Sequence, residues 1–207
     1  MKWKIGEKEI SIGAFRGLIT SKEKLRMQMR IEKGSMFGPN VSYKGDFELP
    51  GGAVEEKDLK KVLTRLGLAE ESARETEEKL GISVSGLGEP SFYRAVYVYP
   101  NGNEDWAFMI STPPKSWDEK VEMKRKTIDV DPDQLDVLGE LNKVVSGKKR
   151  MWRMSQGALF ASNFVSMQKR QRAAELLNKV KPNWYETEHF DNVEEALARF
   201  RKELELE

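Results

Sequence analysis

Glu71, Glu75 and Glu78 stand at i, i+4 and i+7. If the segment is helical, that spacing puts three carboxylates on one face. Carboxylates this close repel one another unless a cation sits among them. Hard oxygen ligands of this kind suit Mg²⁺ or Mn²⁺, which also take waters and substrate phosphates. Upstream lie Gly51 and Gly52. They carry no side chain, so their backbone can approach a ligand closely and a carbonyl there can join a metal shell. The competing reading has no chemistry in it. Glutamate is a good helix former, and Glu-rich helix faces are commonly just solvated. Spacing alone favours the solvated face.

Composition narrows the classes. The chain has 207 residues, 39% hydrophobic and 33% charged, enough to bury a core and stay in solution. Its 35 basic and 34 acidic residues leave a net charge of +1, so bulk charge argues for neither nucleic acid nor membrane. The absence of cysteine excludes disulfides, thiolate metal sites and cysteine nucleophiles. The charged N-terminus, MKWKIGEKEI, is unlike a secretory signal. No apolar run reaches the roughly 18 residues of a membrane span. A cytoplasmic protein is the expectation.

The elements that must position the acids follow from periodicity. Residues 2–31 read as strands with a turn at 20–24. Ile10, Ile12 and Ala14 alternate in the first run; Leu25, Met27, Met29 and Ile31 alternate in the second. Arg26, Gln28 and Arg30 fall between the latter, which predicts one buried face and one wet face. Residues 34–45 read as a loop, and 47–49 as a short strand into Pro50. A short helix is expected over 58–66, with Leu59, Val62, Leu63 and Leu66 on one stripe. Gly67 interrupts, and a second helix runs over 68–80 with Ala69, Ser72, Ala73, Thr76 and Leu80 inward. Residues 91–99 and 105–112 form a hairpin about the Pro100-Asn101-Gly102-Asn103 turn. A loop over 116–126 leads to a short strand at 127–130. Asp131-Pro132 starts a helix running to about Val145. Residues 148–180 read as helical with a break near Ser162-Asn163, ended by Pro182. Asp191 with Glu194 resembles a capping box, and Val193, Leu197, Phe200 and Leu204 line one stripe of a final helix.

The wording of 49–82 adds to the spacing. Pro50-Gly51-Gly52-Ala53-Val54-Glu55, and then Arg74-Glu75-Thr76-Glu77-Glu78-Lys79-Leu80-Gly81-Ile82, resemble the two halves of the Nudix box, G-x5-E-x7-R-E-U-x-E-E-x-G-U with U bulky and aliphatic. The strands before it and the hairpin after it fall where a Nudix fold has them, so the resemblance covers roughly residues 10–140. It departs in three places. With Asp58 standing for the first box glutamate, Arg74 follows 16 residues later rather than 8. Thr76 replaces the aliphatic residue. Lys79 stands where the family has the second glutamate of its Glu-Glu pair, commonly a metal ligand.

The resemblance implies an α/β fold: a Nudix-like α/β/α sandwich with a mixed sheet over 1–147, and a helical C-terminal extension over 148–207 packing on or beside it. It implies Mg²⁺- or Mn²⁺-dependent hydrolysis of a nucleoside diphosphate linked to another moiety. Glu75 and Glu78 match metal-binding glutamates, and Glu75 also matches the water-activating base of some members. The Gly51 carbonyl matches a metal contact. Arg74 matches an arginine that braces the loop against the first box carboxylate, here Asp58, Glu55 or Glu71. With Lys79 in a ligand position, Glu71 or Glu77 could supply the missing oxygen, with the lysine swung to solvent on its long stem. Lys79 could also contact substrate phosphate. The alternative function is a catalytically degenerate Nudix-fold module that binds a nucleotide or a protein partner. Family substrates run from nucleoside triphosphates and sugar nucleotides to dinucleotides and capped RNA, and the substrate-binding residues are unassigned.

Other residues have weaker claims. Glu104, Asp105, Asp118, Glu119 and Glu122 could each add a carboxylate from beyond the box, but each reads first as a surface acid. Phe37, Tyr43, Phe92, Tyr93, Trp106 and Trp117 could stack on a ring, but core packing is the first expectation. Arg16, Arg26 and Arg30 could touch phosphate, with solvent exposure favoured. The basic clusters at 148–153 and 169–172 read as solvated helix faces, and His189, the single histidine, is given no role. The helical tail packs on the sheet, forms a homodimer or binds a partner.

Overall fold

The computed structural model describes residues 2–29, 31, 47–84, 92–99, 101–112, 117–130, 186–189 and 192–206. The expected loop at 34–45, the helix after Asp131 and the helical stretch at 148–180 lie outside the described residues, as does Arg30.

One mixed sheet carries the fold. Its strands are β1 (Lys2–Ile5), β2 (Lys8–Ile19), β3 (Leu25–Met29), β4 (Phe47–Glu48), β5 (Gly51–Ala53), β6 (Phe92–Val98), β7 (Glu104–Thr112), β8 (Thr127–Val130) and β9 (Glu186–His189). The order is β4-β3-β2-β7-β6-β9, with β1 and β5 paired to β2 and β8 paired to β3. β2 and β7 run parallel, from Ile10 opposite Glu104 to Leu18 opposite Thr112. The other pairings are antiparallel, including the expected β6–β7 hairpin.

β2 is the structural axis. It is buried from Ile10 to Leu18 on both faces, as befits a central strand with partners on either side. Ile10, Ile12 and Ala14 meet Trp106, Phe108 and Ile110 of β7 in one apolar cluster. That cluster also takes Leu59, Val62 and Leu63 from around α1 (Leu59–Val62), Leu68 and Ala69 from α2 (Arg65–Leu80), and Leu197, Phe200 and Leu204 from the last helix, α3 (Val193–Glu203), and the residue that caps it. All three described helices therefore contribute buried apolar residues to the same core. The indole of Trp106 and the rings of Phe108 and Phe200 meet edge-on, at 5.4 Å between Trp106 and Phe200, a favoured aromatic geometry. The guanidinium of Arg94 lies 3.7 Å from the Phe200 ring centre.

Several local expectations are corrected. The helix break falls at Thr64, not Gly67. Thr64 is the N-cap of α2, and its side chain accepts from Gly67 N–H at 2.9 Å. Gly67 lies inside the first turn, at a place where a Cβ would overlap the Lys61 carbonyl. The same rearrangement turns Leu66 out to solvent, off its expected stripe. The β3 alternation holds at Leu25, which is fully buried, and fails beyond it. Gln28 is fully buried and bonds Glu48 at 3.3 Å, while Met27 is only half-buried. Arg26 is covered rather than wet: it forms two bonds to Asp129 of β8, at 2.6 and 2.7 Å, and lies over Trp117. At the last helix the cap is Asn192, which accepts from Glu195 N–H at 3.2 Å, one residue beyond the expected Asp191–Glu194 pair.

Candidate functional site

The box residues meet where α2 crosses β5. Glycine permits that crossing. Gly51 and Gly52 pair with Phe15 and Ala14 of β2, so the turn sits on the central strand. A Cβ on Gly52 would overlap the Glu75 carboxylate. Only a residue without a side chain lets that carboxylate come down onto the turn.

α2 is fixed from both ends and from below. Thr64 caps its start; Gly81 ends it in the left-handed conformation at φ 75° and donates to the Glu77 carbonyl at 2.8 Å. Leu68, Ala69, Ser72, Thr76 and Leu80 are buried beneath it, which agrees with the expected inward face except at half-buried Ala73. Arg16, expected at the surface, is buried in β2 and donates to the Ala69 carbonyl at 2.7 Å. Burial lowers its pKa to about 10. It positions the helix and lies beneath the box rather than in it.

On this frame the acids do meet, and they meet two cations. Glu75 is buried. Its Oε1 takes Arg74 Nη2 at 2.9 Å and its Oε2 takes Lys79 Nζ at 2.9 Å. The Lys79 ammonium also donates to the Gly51 carbonyl oxygen. Its side chain is only 15% exposed, so it points inward and not to solvent. Arg74 spreads over the rest: Glu71 and Glu78 at 3.2 Å each, and Glu55 at 3.6 Å. Burial works against its charge, but Glu75, Glu71 and Glu55 together hold its pKa above the ordinary arginine value. Glu71 also accepts from the Glu55 N–H at 3.2 Å. Asp58 is not an Arg74 partner; it caps α1 by accepting from Lys60 N–H at 3.0 Å. Glu78 keeps a side chain 67% exposed.

This donor set does not fit a divalent ion. The Gly51 carbonyl and a Glu75 oxygen are the two nearest ligands that the box resemblance implies, and a primary ammonium stands between them. An ion placed there would meet like charge at contact distance. Among the described residues, no group of three acidic or imidazole side chains is arranged to hold a metal. Glu71, the suggested replacement ligand, is occupied by Arg74 and the Glu55 amide.

Four of the five candidate carboxylates beyond the box have partners of their own, and Glu122 is exposed. Glu104 takes Lys8 and the Trp106 indole N–H. Asp105 takes the Tyr99 hydroxyl, Glu119 takes Ser21, and Asp118 takes the Lys120 amide. Trp106 and Trp117 are core residues; Trp117 donates to the Ile19 carbonyl at 3.1 Å. His189 lies in β9 opposite Tyr93. Phe37, Tyr43 and the basic clusters at 148–153 and 169–172 lie outside the described residues. Lys124 carries no motif signal in the sequence. Its ammonium is 3.4 Å from the Glu77 and Glu78 carbonyls and closes the open end of α2. The inward role of Lys79 did have a sequence signal, since Glu75 and Lys79 form an i,i+4 acid–base pair in the favourable order.

No family model matches the chain, and no curated protein matches it significantly by sequence. Solved structures similar to it include a MutT protein from Methanosarcina mazei, at 14% identity and TM-score 0.44, covering 86% of this chain and 99% of that one. A MutT protein from Bacillus halodurans follows at 14% identity and TM-score 0.42, covering 75% of this chain and 83% of that one. A Nudix hydrolase from Nitrosomonas europaea has 18% identity and TM-score 0.36, covering 62% and 61%. The chain is thus distantly similar to MutT and Nudix structures.

Proposed function

We propose that this chain is a Nudix-like module that binds a nucleoside diphosphate derivative without metal-dependent hydrolysis. One observation carries the reading: both oxygens of Glu75 are held in ion pairs, one by Arg74 and the other by Lys79. A carboxylate so engaged is a poor metal ligand and a poor base, because either role first requires breaking a largely desolvated pair. The box wording supports the ligand class, and the two inward cations support the loss of the hydrolytic step. No helix among the described residues is long and apolar enough to cross a membrane.

Calorimetry over a panel of nucleoside diphosphate derivatives, paired with assays for nucleoside monophosphate release in Mg²⁺ and Mn²⁺, tests this. Binding that survives chelation, with no release, is the expected result. Metal-dependent release that Glu75→Gln and Glu78→Gln both abolish would replace the reading with the hydrolase, with Glu75, Glu78 and Gly51 as the ion's ligands.

A further inference from the structure

We infer that the Lys79 ammonium is a tethered replacement for a divalent ion, and that the box is a latent metal site one substitution away from binding one. The inference deepens the reading above and rests on the same Lys79 contact.

Position comes first. The ammonium lies between the Gly51 carbonyl and Glu75 Oε2. These are a strand backbone oxygen and a helix carboxylate, and the ammonium reaches the first of them across 28 positions of sequence. They are also two of the oxygens that the box resemblance implies as metal ligands.

Charge comes second. A glutamate at position 79 with a bound divalent ion would present a net single positive charge to Glu75. Lysine presents the same net charge with no ion. The substitution and the loss of metal therefore compensate each other, and neither is neutral alone. Glutamate without metal would add a fourth carboxylate beside Glu71, Glu75 and Glu78. Lysine with metal would bring two cations into contact.

Packing comes third. A Cβ on Gly52 would overlap the Glu75 carboxylate and come within 3.0 Å of Lys79 Nζ. The glycine thus keeps open the space that the carboxylate–ammonium pair fills. The pair spans one helical turn, i to i+4, and its second contact ties the last turn of α2 to β5. The clamp is complete without any ion.

The test is Mn²⁺ binding followed by the loss of its free aqueous paramagnetic resonance signal, in the wild type, Lys79→Glu and Lys79→Met. Wild type and Lys79→Met leave the signal free. Lys79→Glu takes up one Mn²⁺ per chain, and adding Glu75→Gln to it abolishes that uptake. Circular dichroism verifies that each variant is folded. A folded Lys79→Glu that binds no Mn²⁺ overturns the latent site. A wild type that binds Mn²⁺ at the box overturns the replacement. The second arm needs no variant: amide resonances of Gly51, Gly52 and Glu75 in the wild type stay sharp as Mn²⁺ is added, and selective broadening there contradicts the inference. These readouts do not involve nucleotide. A protein that binds no nucleotide yet behaves this way defeats the proposed function and leaves the tethered cation standing.

Discussion

At the residue scale, the state of an acidic cluster is decided by the cations that reach it. Three glutamates on one helix face are legible from spacing, and so is the lysine one turn after Glu75. What spacing cannot give is which way the lysine turns. A four-carbon stem reaches solvent as easily as it reaches inward. The choice is set by a carbonyl on β5, a distant segment that no local pattern connects to α2. The inward pair has an energetic signature. Lys79→Met leaves the buried Glu75 with one charge partner instead of two, and the expected loss is about 1–3 kcal/mol, read from urea unfolding. An unchanged midpoint would mean that the pair is not formed in solution. Gly52→Ala pushes a methyl into the Glu75 carboxylate. Overpacking of this kind costs about 1–3 kcal/mol, and thermal unfolding measures it.

At the element scale, α2 begins where its cap is, and its glycine is inside it. Glycine is read from sequence as a breaker because it usually is one. At Gly67 the tertiary constraint wins: the chain folds back so tightly after α1 that only hydrogen fits against the Lys61 carbonyl. The cap has a sequence signal, since a threonine accepts readily from an amide three residues on. Thr64→Ala removes the acceptor for Gly67 N–H and should cost about 0.5–2 kcal/mol, with hydrogen exchange at 65–68 rising first. A loss spread evenly over the protein, with no local excess in exchange, would argue against the cap. The departure at Gln28 in β3 has a similar cause. Gln28 goes inside because Glu48 meets it there, and that partner stands opposite it on the neighbouring strand β4, beyond the reach of alternation.

At the scale of the whole molecule, the end of the chain is part of the core. The stripe of Val193, Leu197, Phe200 and Leu204 was legible as a buried face, but not the surface it covers. That surface is Trp106, Phe108 and the α1–α2 corner, where Arg201 also donates to the Leu63 carbonyl at 2.6 Å. β9 was not legible at all, because Glu-Thr-Glu-His offers no apolar alternation and owes its extended form to pairing with β6. We therefore propose that the chain after residue 185 belongs to the same folding unit as 1–147, and not to an appended extension. Phe200→Ala should cost about 3–5 kcal/mol in a single cooperative transition. A separate, early-melting transition with the main one unshifted would return α3 to the status of an appendage.

The most direct measurement of the central claim is a crystal structure grown in excess Mn²⁺ with data collected for its anomalous signal. The account predicts no anomalous peak among Gly51, Glu75 and Glu78, with Lys79 Nζ bonded to both the Gly51 carbonyl and Glu75. A peak between those oxygens, with Lys79 turned out to solvent, would contradict it.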